Sequence, residues 1–176
     1  MLDSQDRLRF ELLVLPHLDA AFNLARWLVR SGPDAEDIAQ EALLRSYRFF
    51  PGFHGGDARS WLLQIVRNTC YTWLEKNRRQ DVTEFNEEHH LHPSPSPEVQ
   101  AIASDHRARL IRAIESLPAP FREVIVLREL EGCSYKEIAT ITSSPIGTVM
   151  SALSRARRQL QLALADPSRK EAQHEL

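Results

Sequence analysis

The sequence predicts an all-α protein: two small helical domains joined by a flexible acidic, proline-rich linker, the second domain being a helix-turn-helix. Three observations carry this expectation. Ala, Leu, Arg and Glu dominate a chain with only six glycines, and these residues favour helix. No alternating apolar–polar run is long enough to signal a strand. The segment Pro93-Ser94-Pro95-Ser96-Pro97 interrupts the helical periodicity, because alternating prolines remove backbone donors and favour extended polyproline conformations.

The elements follow in order. In the first domain, residues 5–79, positions 8–29 carry helical periodicity over one or two helices and stop before Ser31-Gly32-Pro33. Asp34 is placed to cap a helix over 35–50, which Pro51-Gly52 ends. A short loop over 53–57 contains Gly55-Gly56, and Asp57 is placed to cap a long helix over 58–79. Residues 80–99 form the linker. In the second domain, residues 100–165, helices are predicted over 105–116, 119–131, 134–141 and 145–163, punctuated by Pro118, Gly132 and a tight turn. Ser134 with Glu137 fits a capping box, and Ser144-Pro145 sets a capping hydroxyl before a proline at the first helical position. The polar tail beyond Asp166-Pro167 is expected to fray.

Composition bounds the function. With 176 residues, 43% hydrophobic and 26% charged, the chain fits one or two soluble domains. No apolar run approaches the roughly 20 residues that cross a bilayer, and residues 1–10 lack the apolar core of a signal peptide. A cytoplasmic protein is expected. Cys70 and Cys133 form no CxxC pair and are expected as free thiols in a reducing compartment. His89, His90 and His92 have no Cys or further His at ligand spacing, so they belong to the linker and no metal is expected. The formal net charge of −2 conceals a polarity: residues 80–106 hold six acids and no Lys or Arg, whereas residues 107–165 hold nine Lys/Arg against five acids. An acidic linker masks a basic second domain.

Three constellations carry chemistry. From Ser134 to Leu160, a short helix, a tight turn and a longer basic helix make a helix-turn-helix. On a wheel, Ile146, Val149, Leu153, Ala156 and Leu160 fall within roughly 80° and face the core. Thr148, Ser151, Ala152, Ser154, Arg155 and Arg158 take the other side. Small, hydroxylated and cationic, that face suits a major groove; the alternative is a solvated amphipathic helix. In Asp34 to Phe50, the residues Ala35, Ile38, Ala39, Ala42, Phe49 and Phe50 share the core arc. Asp37, Gln40, Glu41, Leu44 and Arg48 lie opposite, an exposed leucine among acids and an amide, as in a protein-docking patch. From Ala58 to Arg79, the residues Leu62, Leu63, Val66, Cys70, Trp73 and Leu74 form the buried stripe. Gln64, Arg67, Asn68, Tyr71, Glu75 and Arg78 form a polar stripe that suits nucleic acid, where rings stack on bases and cations hold phosphates. Core plus ordinary surface is the other reading. No P-loop, GxGxxG, GxSxG or metal-ligand spacing occurs, so neither an enzyme nor a cofactor is expected.

In order and wording the three blocks resemble the extracytoplasmic-function (ECF) sigma factors of the sigma-70 family. The run Asp34-Ala35-Glu36-Asp37-Ile38-Ala39-Gln40-Glu41 is similar to the block that grips the β′ clamp helices of RNA polymerase. Residues 53–61 with Ile65-Val66-Arg67-Asn68-Thr69 are similar to the block that opens and reads the −10 element. Leu117-Pro118, Phe121-Arg122, Ser134-Tyr135-Lys136-Glu137-Ile138-Ala139, Gly147-Thr148-Val149 and Ser154-Arg155-Ala156-Arg157 resemble the block that reads the −35 element. Met150 and Ala152 depart from it, standing where many relatives carry Lys or Arg. The resemblance implies transcription initiation without catalysis and control by an anti-sigma factor. Its implied partners are promoter DNA and core RNA polymerase, at the β′ clamp helices and β flap, with no membrane insertion. It assigns Asp37, Gln40, Glu41, Leu44 and Arg48 to polymerase. The −10 strand falls to Phe53, His54, Asp57, Gln64, Arg67, Asn68 and Tyr71, with a base flipped into a loop pocket. The −35 duplex falls to Thr148, Ser151, Ser154, Arg155 and Arg158. A free-standing repressor or activator with a C-terminal helix-turn-helix is the alternative, and it requires a ligand pocket or a symmetric interface.

Overall fold

The computed structural model describes residues 3–78 and 99–165, and all regular structure among them is helical. Residues 80–98 of the sequence-predicted linker, its three histidines and the polar tail lie outside the described residues, while Val99, expected in the linker, already begins a helix.

The first domain begins with α1 (Ser4–Leu13), capped by Asp3, whose carboxylate accepts from the Asp6 N–H at 2.7 Å. A 3-10 turn at Leu15–His17, carrying Pro16, leads into α2 (Leu18–Val29). α3 (Gly32–Phe49) and α4 (Ala58–Arg78) follow. Helices α2, α3 and α4 pack on one another around Leu24, Leu28, Ile38, Leu62, Leu63 and Val66, while α1 contributes Phe10 and its C-cap residue Val14 joins them. The stretch Ser4–Val29 is long and apolar enough by composition to cross a bilayer, which corrects the expectation that no apolar run comes near that length. The turn at Pro16 divides it, and Phe10, Val14, Ala21, Leu24, Ala25 and Leu28 are buried within the domain.

Several local expectations change. Ser31, not Asp34, caps α3, and the Asp34 N–H donates to its hydroxyl at 3.5 Å. The helix starts three residues earlier because Gly32-Pro33 occupy its first turn, where a missing proline N–H costs nothing. Phe49 was expected in the core but is 61% exposed. At the end of α3 a 3-10 turn (Phe50–Gly52) swings Phe50 inward instead, where it packs edge-on to Phe10 and stacked on Phe53. Ala39, Trp73 and Leu74 are half-buried. Asp57 accepts from the Arg59 N–H at 3.1 Å at the start of α4, as expected of its cap.

In the second domain, α5 (Val99–Glu115) precedes α6 (Ala119–Ile125), which continues as a π-helical turn over Val126–Leu130. Gly132, at φ 67°, then reverses the chain into α7 (Tyr135–Thr142). The reciprocal Ser134–Glu137 capping box is present. Ser143, at φ 51°, closes the turn before α8 (Ile146–Leu164). Ser144 does not cap α8, since its hydroxyl donates back to the Thr142 carbonyl at 3.2 Å. Ile146 was expected to face the core but stands at the first position of α8, past the core edge, 46% exposed. Buried Arg122 fastens the α5–α6 elbow, donating to the carbonyls of Glu115 at 2.8 Å and Leu117 at 2.9 Å. The two domains touch: α4 packs on α7, and α2 on α6.

Candidate nucleic-acid interface

On α8 the inner stripe is Val149, Leu153 and Ala156, all buried, with Leu160 packed partly against the core. Thr148, Ser151, Ser154, Arg155 and Arg158 are exposed on the outer side, and Ala152, expected there too, is half-buried against the core. The Ser151 hydroxyl donates to the Gly147 carbonyl at 2.7 Å, which leaves its oxygen facing out as an acceptor. Arg157 is tied to Glu129 at 2.7 Å, and this hydrogen bond raises its pKa. Arg155 and Arg158 have no ion-pair partner among the described residues, so two cations remain available on the face that the sequence pattern selects.

The α4 face is different. His54 and Asn68 are exposed, but Gln64, Arg67 and Tyr71 are only half-exposed because the second domain covers them. The Gln64 amide donates to the Ser143 hydroxyl at 2.9 Å. Arg67 makes a forked pair with Glu123 of α6, at 2.9 and 3.3 Å, while its guanidinium lies 4.4 Å over the Tyr71 ring. Burial works against the Arg67 charge, yet Glu123 outweighs it and its pKa rises. For Glu123, burial dominates and raises the carboxyl pKa despite Arg67. Burial and the adjacent Glu123 also raise the Tyr71 phenol.

The loop after α3 frames a cleft of about 420 Å³. Its floor includes Phe53, Trp61 and Gln64, and Lys136 and Thr140 of α7 close its far side. Gly55 and Gly56, at φ 104° and 107°, adopt a backbone that side chains disfavour. Phe53, expected against the −10 strand, is buried at 7% exposure, stacked on Phe50 and tilted on Trp61, and lines the cleft from beneath the loop. Asp57 is held in place by the Arg59 N–H and the Ser60 hydroxyl. Burial tends to raise its pKa, but the bonds from Ser60 and Arg59 prevail and lower it. On α3, Asp37, Gln40, Glu41, Leu44 and Arg48 are all exposed. Leu44 is 64% exposed, and Glu41 pairs with Arg45 at 2.7 Å.

Residues 13–80 match sigma-70 region 2, and residues 107–160 match sigma-70 region 4. The RNA polymerase sigma-H factor of Pseudomonas aeruginosa is 36% identical over 169 residues, 90% of this chain and 88% of that protein. The ECF RNA polymerase sigma-E factor of Escherichia coli K12 is 36% identical over 165 residues, 88% and 86% of the two chains. The chain belongs to the ECF group of the sigma-70 family. Among solved structures, the sigma factor RpoE of Bartonella quintana, crystallised with the anti-sigma factor NepR, superposes with a TM-score of 0.73 at 30% identity. That match covers 90% of this sigma factor and 98% of that chain. Helices α2, α3 and α4 carry region 2, and the second half of α5 with α6, α7 and α8 carries region 4.

Sequence reasoning missed the contact between the two regions. Besides Arg67–Glu123, Arg59 of α4 donates to the Glu131 carbonyl at 2.6 Å and its carboxylate at 3.1 Å. Asn23 of α2 donates to the same carboxylate, and Arg122 reaches the Leu28 carbonyl at 3.2 Å. The only sequence hint is an acid, Glu123, set beside the apolar run from Val124 to Leu127.

Proposed function

We propose that this sigma factor joins core RNA polymerase in the cytoplasm and gives it promoter specificity, catalysing nothing itself. The observation that carries the reading is a region 2 and a region 4 match in one chain, together with a recognition helix whose exposed face is small, hydroxylated and cationic. In this reading α8 enters the major groove of the −35 element. Thr148, Ser151 and Ser154 allow close approach, and Arg155 and Arg158 reach guanine edges or phosphates. His54, Asp57, Gln64, Arg67, Asn68 and Tyr71 meet the unpaired −10 strand, Tyr71 by stacking and Arg67 by holding phosphate. A flipped base enters the cleft beside the loop. Residues 5–79 and 100–165 act as the two recognition domains, with the residues between them as tether. On α3, Asp37, Gln40, Glu41, Leu44 and Arg48 dock on the β′ clamp helices, while the second domain engages the β flap. The Bartonella relative is bound by an anti-sigma factor, and control of the same kind is proposed here.

The test reverses charge on α3. Asp37→Lys with Glu41→Lys puts like charges against a cationic and polar partner surface, which suppresses a complex by several kcal/mol. Loss of the Glu41–Arg45 pair costs the helix only about 0.5 kcal/mol, so circular dichroism and melting stay near wild type. The variant is expected to fail in pull-down of core polymerase and in reconstituted transcription. A working holoenzyme from the double variant removes this face from the docking set, and a wild type that forms none removes the sigma-factor reading.

A further inference from the structure

The outer side of α8 is not uniform along its length. Ile146, Met150, Ser154 and Arg158 follow one another at four-residue intervals, about 40° apart on the helix surface, and so form one ridge. All four are exposed. The trailing half of the ridge is polar and cationic, whereas its leading half is apolar: Ile146 is 46% and Met150 53% exposed. No Lys or Arg lies between Ile146 and Ser154. We propose that Met150, with Ile146 one turn before it, is a specificity-determining residue that reads the C5-methyl group of a thymine in the −35 duplex. This inference rests on the function proposed above, and it adds a base identity that the cationic end of the helix does not supply.

The two side chains have no part in the domain's own core. Val149, Leu153 and Ala156 close that core at 1% exposure or less, and neither Ile146 nor Met150 packs against it. A single exposed apolar side chain is ordinary. Two on one ridge, at the N-terminal end by which a recognition helix meets base edges, form an apolar edge continuous with Ser154 and Arg158, both assigned to the −35 duplex. In the major groove, thymine presents the only methyl group on a base edge. The Met150 thioether, unbranched and polarizable, adapts to such a contact. The adjacent Ser151 fits the other half of the same base pair. Its proton is committed to the Gly147 carbonyl at 2.7 Å, so its oxygen accepts, and the donor it meets on an A·T pair is the adenine N6 amine. A Lys or Arg at this position favours phosphate or guanine; methionine exchanges that salt-sensitive contact for a methyl-sensitive one.

Deoxyuridine lacks only the thymine methyl group and is the probe. Holoenzyme reconstituted from the full chain and core polymerase is first offered promoter duplexes randomised across the −35 element, and the bound sequences are determined. The wild type is expected to select thymine at a fixed position. Replacing that thymine by deoxyuridine is expected to weaken wild-type binding about fourfold, the equivalent of one buried methyl group. Met150→Ala is expected to bind both duplexes alike, and Met150→Leu to keep the preference. Both variants are expected to melt near wild type, because the side chain is exposed. A wild type that selects no thymine, or that tolerates deoxyuridine at every selected thymine, overturns the inference. So does a Met150→Ala variant that discriminates as the wild type does, an outcome that leaves the apolar edge to a protein partner. A chain that gives core polymerase no promoter selectivity sinks the sigma-factor reading and the inference together, whereas selection without thymine dependence sinks the inference alone.

Discussion

Removing the cation from the Arg67–Glu123 pair makes closure of the two domains depend on pH. In Arg67→Ala, the Glu123 carboxylate, 4% exposed, loses both bonds from the guanidinium. Breaking a buried ion pair from one side costs roughly 3–5 kcal/mol. The low end applies here, because the Arg67 side chain keeps 21% exposure and because the domains can part and return Glu123 to water. The variant is thus expected to open at pH 7 rather than unfold, since Leu62, Leu63 and Val66 beneath Arg67 stay packed. Burial already raises the Glu123 pKa against the pull of Arg67, and without Arg67 it rises further. A carboxyl whose pKa is higher in the closed form favours closure fully below its ordinary value of about 4.3, and that contribution is lost as pH rises through the raised value. Scattering across this range is therefore expected to find the variant closed in mild acid and open at neutral pH. The Asp57 cap persists in mild acid, since its lowered pKa keeps it ionised until the pH falls further. A variant that keeps the wild-type radius at pH 7 refutes this account of the pair.

Two further outcomes concern region 4. Arg155→Ala is expected to weaken binding to a −35 duplex by roughly 1–3 kcal/mol if Arg155 reads a base, with a melting temperature near wild type because the residue is exposed; unchanged duplex affinity removes Arg155 from the contact set. Leu153→Ala, at a side chain 1% exposed between α8 and its neighbours, is expected to cost roughly 2–5 kcal/mol of stability, measured by denaturant unfolding, and a loss under about 1 kcal/mol would mean that the site collapses around the cavity.

The sequence by itself determined the helices, the helix-turn-helix and the outward face of α8. These rest on local rules: the 3.6-residue period that set Val149, Leu153 and Ala156 inward, and the capping box at Ser134 and Glu137. The period failed where a helix ends. Phe49 and Ile146 sit in phase with the core yet lie past its edge, and Phe53, in a loop with no period, is buried among aromatic rings. Tertiary structure alone decided what covers the polar stripe of α4. Arg67 and Glu123 are 56 residues apart, and Arg59 and Glu131 are 72 apart. Pairing at such separations follows from how two finished domains meet, because a charged side chain carries no local signal of the partner it will find. An amphipathic wheel shows Gln64, Arg67 and Tyr71 facing away from their own core, and only the docked second domain turns that solvent face into an interface.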